Sequence, residues 1–183
     1  CEQMLKDIAP QTGMSYGILR YFNVAGADVS GMLRERHDPE THLIPLTLFA
    51  AAGWTQGLKL FGDDYDTEDG SCIRDYVHVS DLVHGHMLAL EHLSAQGGSL
   101  TLNLGSGRGT SNFEIVEMVE RLTGRTVPVE IAPRRAGDPP VLVADTSLAY
   151  ETLGFKPQRS DLATIVADAA RSFGVEAVHA ISA

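Results

Sequence analysis

Between Phe61 and Leu82 the chain changes character three times within one connected stretch. An apolar strand pattern ends at Phe61-Gly62, an acidic loop runs from Asp63 to Asp69, and Arg74-Asp75-Tyr76-Val77-His78-Val79 leads into a helix. A strand, a loop, a second strand and a helix thus follow one another. In a chain of net charge −10, an arginine held beside that much acid needs either an ion-pair partner or a ligand.

With 183 residues, 44% apolar and 21% charged, the chain is long enough for a domain with a real core. Its 24 Asp and Glu against 14 Lys and Arg set up a field that repels phosphate backbones and anionic lipid, so no nucleic-acid or membrane partner is expected. A single small anion is still bindable where a few arginines are placed locally. Cys1 and Cys72 lack CxxC spacing, which indicates neither a disulfide framework nor a zinc site and fits a reducing, cytoplasmic setting. No apolar run approaches the roughly 18 residues of a membrane span. The first residues do not form a signal peptide; Met4, Leu5 and Ile8 continue a helical face with no N-cap before it. The chain is therefore expected to be an N-terminally truncated piece of a longer protein.

Along the chain, Ser15 to Phe22 is rich in β-formers and reads as a buried strand. Asn23 follows at the strand's carboxyl end, where open α/β sheets bind ligands, or it caps a turn with its own amide. Asp28 to Thr41 reads as a long polar loop. His42 precedes a helix over Leu46 to Trp54 with Pro45 in its first turn, and is either a surface or capping histidine or a ligand-side residue. Leu58 to Phe61 is a short strand. Ser80 is the expected N-cap of a helix ending near Gly97-Gly98; within it His84 and His86 point to different faces and make a poor metal site. Leu100 to Leu104 is a strand ending in Gly105-Ser-Gly-Arg-Gly109, whose spacing is wrong for a dinucleotide fingerprint. Ser111-x-x-Glu114 is a capping box for a helix stopping at Gly124. Val127 to Ile131 reads as an edge strand because of Pro128. Arg134-Arg135, between Pro133 and Gly137, is a solvated basic spot or an anion clamp. Helices over Thr146 to Leu153 and Ser160 to Phe173 follow, and the stretch from Val175 is expected to fray. No metal centre is expected.

Four features in order, Tyr21-Phe22-Asn23, His42-Leu43-Ile44-Pro45, the stretch from Phe61 to Asp81, and Arg134-Arg135-Ala-Gly-Asp138, together resemble the C-terminal half of the UDP-glucose 4-epimerase family of extended short-chain dehydrogenase/reductases. The likeness covers roughly Cys1 to Phe173. Its most specific part is the acidic Tyr65-x-Thr67-x-Asp69-Gly70 insert ahead of Arg74-Asp-Tyr-Val-His-Val79; related dehydratases and decarboxylases typically keep only the second part.

The resemblance implies an α/β, extended Rossmann-fold enzyme with NAD in its N-terminal domain and UDP-glucose or UDP-galactose held by the C-terminal part, epimerised at C4 through a 4-keto sugar. Residues 1–27 would then end the NAD-binding domain, 28–173 form the UDP-sugar domain interleaved with late Rossmann elements, and 174–183 a tail. Arg74 and Arg135 are implied diphosphate ligands, Asp138 a ribose partner, Asn23 a phosphate or sugar-side donor, and His42, Leu43, Lys59 and Phe61 the nucleotide pocket. Tyr21 and Phe22 are implied on the cofactor side. Leu142 falls where bulk sets whether an N-acetylhexosamine fits, and His42 stands where relatives often carry an amide. The NAD fingerprint and the catalytic Tyr-x-x-x-Lys pair have no counterpart in these residues, so no catalytic residue is expected in this chain and it should not turn over substrate alone. A homodimer is implied for the longer protein. A UDP-pentose 4-epimerase, a nucleotide-sugar dehydratase and a non-catalytic nucleotide-sugar-binding module are the competing expectations.

Overall fold

The computed structural model describes residues 1–178. They form α1 (Glu2–Thr12), β1 (Gly17–Tyr21), β2 (Asn23–Ala25), α2 (Leu43–Ala51), β3 (Leu58–Phe61), β4 (Ile73–His78), α3 (Val79–Gln96), β5 (Leu100–Leu104), β6 (Gly109–Ser111), α4 (Asn112–Thr123), β7 (Val129–Ala132), β8 (Val141–Leu142), α5 (Ser147–Leu153) and α6 (Leu162–Phe173). The α/β class expected from the sequence is the one found.

Strand β4 is the hub of the sheets. Its first half pairs antiparallel with β6 and parallel with β8, and its second half pairs parallel with β2, placing Asn23 opposite Tyr76 and Ala25 opposite His78. Two further parallel pairs, β1 with β5 and β3 with β7, flank this sheet. One apolar core lies between α2, α4, α6 and β3, around Ile44, Leu48, Leu60, Ile115, Val119 and Ile165. A second joins α3, β5 and α5 through Leu82, Leu102, Leu104, Ala149 and Phe155.

Local chemistry explains most boundaries. Ser111 and Glu114 make the reciprocal capping box at the start of α4, and Gly124 ends it in the left-handed region. Asp161 caps α6 by accepting from the Thr164 N–H at 2.8 Å. Helix α2 spans Leu43–Ala51 rather than Leu46 to Trp54, with His42 at its N-cap position, and three further expectations shift. Helix α3 begins at Val79 rather than after Ser80, because the buried His78 ring already occupies the cap position and its Nδ1 accepts the Ser80 N–H at 3.0 Å. Strand β1 is not buried throughout: only Ile18 is enclosed, while Arg20 lies on the surface in an ion pair with Glu2 and Tyr21 is 55% exposed. Val175 is buried and the Val178 N–H donates to the Leu122 carbonyl at 2.9 Å, so the stretch docks as far as Val178 instead of fraying; the remainder of that stretch lies outside the described residues.

Buried polar groups on β4 and the first turn of α3 tie the loops together. Asp75 is fully buried and accepts from Ser106 N–H and Oγ–H (2.7 Å each), Gly107 N–H (2.9 Å) and Ala144 N–H (3.1 Å). The glycine-rich turn after β5 thus wraps its amides around a carboxylate from its own chain. A Cβ at Gly105 would lie 2.6 Å from Asp75 Oδ2, which explains the glycine. Asp81 accepts from the Gln158 and Arg159 N–H groups (2.9 Å each) and from Ser160 Oγ–H (2.6 Å). His78 Nε2 stands 3.3 Å from Asp168 on α6, a carboxylate also held by Arg159 and Arg171.

Burial pushes the His78 imidazole below its ordinary range, with Asp168 pulling the other way. The folded state holds His78 neutral, whereas the unfolded chain takes up a proton near about pH 6.5. Stability contributed by this group is therefore complete above that pH and lost as the pH falls below it. Melting temperatures measured between about pH 7 and pH 5 should fall, and His78→Asn should flatten that slope even if its melt is lower throughout; an identical slope in the variant would contradict the assignment.

Candidate functional site

The carboxyl end of β1, the start of β2, the N-terminus of α2, strand β4 and the loop after β7 meet at a cleft of about 390 Å³. Tyr21, Phe22 and Asn23 enter from the β1–β2 junction, His42 and Leu43 from the start of α2, Arg74 from β4 and Arg135 from the loop. Seven residues singled out from sequence, spread over more than 110 positions of the chain, thus share one cavity. A larger apolar cleft of about 690 Å³ adjoins it and shares Val24, Ala25, Gly26, Glu35 and His42. The smaller cleft is the one to which both arginines belong.

The two neighbouring arginines have different partners. Arg134 donates to Asp64 Oδ1 at 2.6 Å and stacks over the Tyr65 ring at 4.3 Å; the pair holds the Asp64 carboxyl below its usual range. Arg135 lies over the Phe61 ring at 4.0 Å and has no carboxylate partner among the described residues. The aromatic face positions its guanidinium without neutralising it. Arg74 donates to the Ile73 carbonyl at 2.7 Å and is ion-paired to Asp138, with 13% and 29% of the two side chains exposed. Arg74 thus has the ion-pair partner posed for it, and it also lines the cleft.

The other expected residues flank this centre. Phe61 reaches it through Arg135, and Asp138 through Arg74. Leu142 is the β8 partner of Arg74 in the sheet register and is 48% exposed. Lys59 lies outside the cleft lining, exposed and 3.4 Å from Glu130. The acidic stretch before β4 is more engaged than a solvated loop. Asp64 holds Arg134, and Asp69 accepts from the Ser71 N–H and Oγ–H at 2.8 Å and from Ser111, tying the loop to the cap of α4.

Several lining residues carry no mark in the sequence. Tyr76 shares the face of β4 with Arg74 by the two-residue strand period, a signal that was available; burial raises its phenol above the ordinary range. Gly26 is required because its φ is +82° and a Cβ would lie 2.5 Å from the His78 ring. Glu35, Thr41 and Ala169 arrive through tertiary folding alone. Burial, then repulsion from Glu40, raises Glu35. Burial opposes ionisation of Glu40 too, but the His42 and Thr41 N–H groups outweigh it and hold that carboxyl low.

Residues 1–105 match the model of the NAD dependent epimerase/dehydratase family. The chain belongs to that family. It is 51% identical over 154 residues, 84% of its length, to a UDP-glucose 4-epimerase of Halalkalibacterium halodurans, of which it covers 46%. The structure of UDP-glucose 4-epimerase from Brucella ovis in complex with NAD superposes with a TM-score of 0.92 at 58% identity, over 96% of this chain and 54% of that one. UDP-glucose 4-epimerase from Bifidobacterium longum, in complex with NAD+ and UDP, gives a TM-score of 0.88 at 35% identity, covering 94% and 52%. The chain spans about half the length of the curated relatives it matches.

For this epimerase/dehydratase family member, the Arg74–Asp138 pair is a largely enclosed ion pair that, with the Ile73 N–H to Pro140 carbonyl bond at 2.8 Å, ties the β7–β8 loop to β4. Partial burial raises its expected coupling above that of a surface pair. A double-mutant cycle over Arg74→Ala and Asp138→Ala in denaturant unfolding should give a coupling of about 1–2 kcal/mol. The exposed Lys59–Glu130 pair should give none that is measurable. Equal coupling energies in the two cycles would contradict the distinction.

Proposed function

We propose that this chain supplies the UDP-sugar-binding part of an NAD-dependent UDP-glucose 4-epimerase, which interconverts UDP-glucose and UDP-galactose through a 4-keto sugar. The observation that carries the reading is the pair Arg74 and Arg135 lining one cleft, with Arg135 free of any carboxylate among the described residues. Planar guanidiniums with open donors suit a diphosphate. The similarity to UDP-glucose 4-epimerases over most of the chain supports the same reading.

In this proposal Arg74, from β4, and Arg135, from the loop after β7, both grip the diphosphate. Asp138, with one oxygen on Arg74, offers the other to a ribose hydroxyl. Phe61, His42 and Leu43 surround the nucleotide, with Lys59 outside the cleft lining and at most at its edge, and Asn23 donates an amide toward the phosphate or sugar. Tyr21 and Phe22 form the cofactor side. The carboxyl end of parallel strand β1, with Tyr21 half exposed beside the cleft, is the kind of strand end at which α/β folds receive a dinucleotide, so these residues fit NAD. When bound, NAD supplies the acceptor and donor of the hydride at sugar C4. Hydride return to the opposite face requires the hexose to turn over while the nucleotide stays put. Firm contacts at the diphosphate and few at the sugar meet that requirement. Leu142, on the strand beside Arg74, sets how much bulk the sugar side accepts.

Residues 1–27 are assigned in this reading to the end of the NAD-binding domain, 28–173 to the UDP-sugar part and 174–183 to a tail. The longer protein is read as a cytoplasmic homodimer of galactose metabolism. The free thiols of Cys1 and Cys72 accord with a reducing compartment, and no helix of the described residues is long and apolar enough to cross a membrane. The acidic insert, folded through Asp64 and Asp69 onto Arg134 and α4, favours the 4-epimerase over a dehydratase. No Tyr-x-x-x-Lys occurs in the 183 residues, so the chain alone is expected to bind nucleotide sugar without turnover.

In the intact enzyme, Arg135→Ala should raise KM for UDP-galactose by about 10- to 150-fold, the worth of one lost charge-assisted contact, with a smaller change in kcat. Steady-state kinetics of Arg135→Ala and Arg74→Ala check this, and an unchanged KM in both would refute the clamp.

A further inference from the structure

We propose that the loop from Glu35 to His42 is a binding site for a divalent transition-metal ion of the zinc type, with His37, Glu40 and His42 as ligands and Glu35 beside them. The nitrogen and carboxylate atoms of the first three all lie within 4.8 Å of one another. His42 Nδ1 stands 2.9 Å from Glu40 Oε1 and 2.6 Å from Glu35 Oε1, and His37 Nδ1 stands 3.7 Å from Glu40 Oε1. Ligand atoms on a tetrahedral zinc ion, at bonds of about 2.0–2.1 Å, are separated by about 3.3 Å. The three spacings quoted straddle that value, and no pair among the first three residues exceeds 4.8 Å, so side-chain rotation brings the donors within coordination distance.

Hydrogen bonding alone leaves His42 Nδ1 and Glu35 underprovided. His42 Nδ1 carries at most one proton, yet two carboxylates crowd it. Neither glutamate has an arginine or lysine ion-pair partner among the described residues. A cation between the two imidazoles and the carboxylates resolves both deficits, with His42 offering its Nδ1 lone pair and keeping its proton on Nε2. Two imidazoles with carboxylate select zinc, cobalt or nickel over magnesium and calcium, which prefer oxygen throughout.

The ligands are also oriented. Glu40 Oε1 accepts from the Thr41 N–H at 2.7 Å and the His42 N–H at 2.8 Å, which holds the carboxylate beside both imidazoles as outer contacts hold a metal ligand and leaves Oε2 as the oxygen with open lone pairs. The spacing His37-x-x-Glu40-x-His42 keeps the site within six residues, and the imidazole side chains are 49% and 54% exposed, leaving an open path for the ion. Metal there ties residues 35–42 to the N-terminus of α2, on the rim of the cleft that His42 lines. The absence of a metal centre expected from sequence rested on the cysteines and on His84 and His86; the loop cluster is a separate set of donors. The assignment shares His42 with the nucleotide pocket of the epimerase reading, but its test reads metal binding alone.

Cobalt(II) titrated into tag-free, chelator-treated protein tests it. Visible ligand-field bands should saturate at one equivalent and be displaced by zinc. His37→Ala and Glu40→Gln should each weaken cobalt binding by at least about tenfold, the cost that even an outer-shell contact carries. His84→Ala, an exposed histidine on α3, should leave it unchanged. Because His37 is a surface residue, its variant keeps the fold, as an unchanged melt without metal verifies. Equal affinity in wild type, His37→Ala and Glu40→Gln, or an equal loss in His84→Ala, would overturn the proposal.

Discussion

Everything around the cleft depends on buried polar groups drawn from seven consecutive residues, Asp75 to Asp81. A buried carboxylate is tolerated only when its lone pairs are filled, and each of these two is supplied by loops distant in sequence: Asp75 by residues 106, 107 and 144, Asp81 by residues 158–160. His78 adds a link to α6 through Asp168. Sliding β4 by one residue would turn Asp75 and His78 to the opposite face and strand all of these donors. The register is thereby locked, and Arg74, one residue ahead of Asp75, is aimed at the cleft as a consequence.

That arrangement separates holding from binding. Asp75, His78 and Asp81 are consumed by the fold, as is Arg134 by Asp64 and Tyr65. Arg135, propped on an aromatic face, keeps its donors open, and Arg74 is held in place by Asp138 while still lining the cavity. The proposed grip on a diphosphate, with the hexose free to turn, would draw on this asymmetry between arginines consumed by the fold and arginines that line the cleft.

Helices and strands with local signals were legible from the residues: the capping box of α4, strands β3 and β5, and the glycine stop at Gly124 all lie where their own chemistry puts them. The cap of α3 was misplaced because a histidine ring serves there only when tertiary burial fixes it. The docking of Val175 to Val178 depends on a groove beside α4 that no local pattern reveals. At the site, the resemblance pointed to seven side chains that the fold brings into one cavity, and it named Arg135 rather than Arg134 without the physical reason, since that depends on Asp64 and Phe61 being where they are. Glu35 and Ala169 were invisible for the same reason: their place in the cleft is set by long-range packing.

The central claim is that this chain binds a nucleotide by its diphosphate. Calorimetric titration of UDP and of uridine into the protein tests it most directly. The account predicts that UDP binds tighter than uridine by at least about tenfold, and that Arg135→Ala narrows this ratio while leaving the affinity for uridine nearly unchanged. Equal affinities for UDP and uridine, or a ratio untouched by Arg135→Ala, would contradict it.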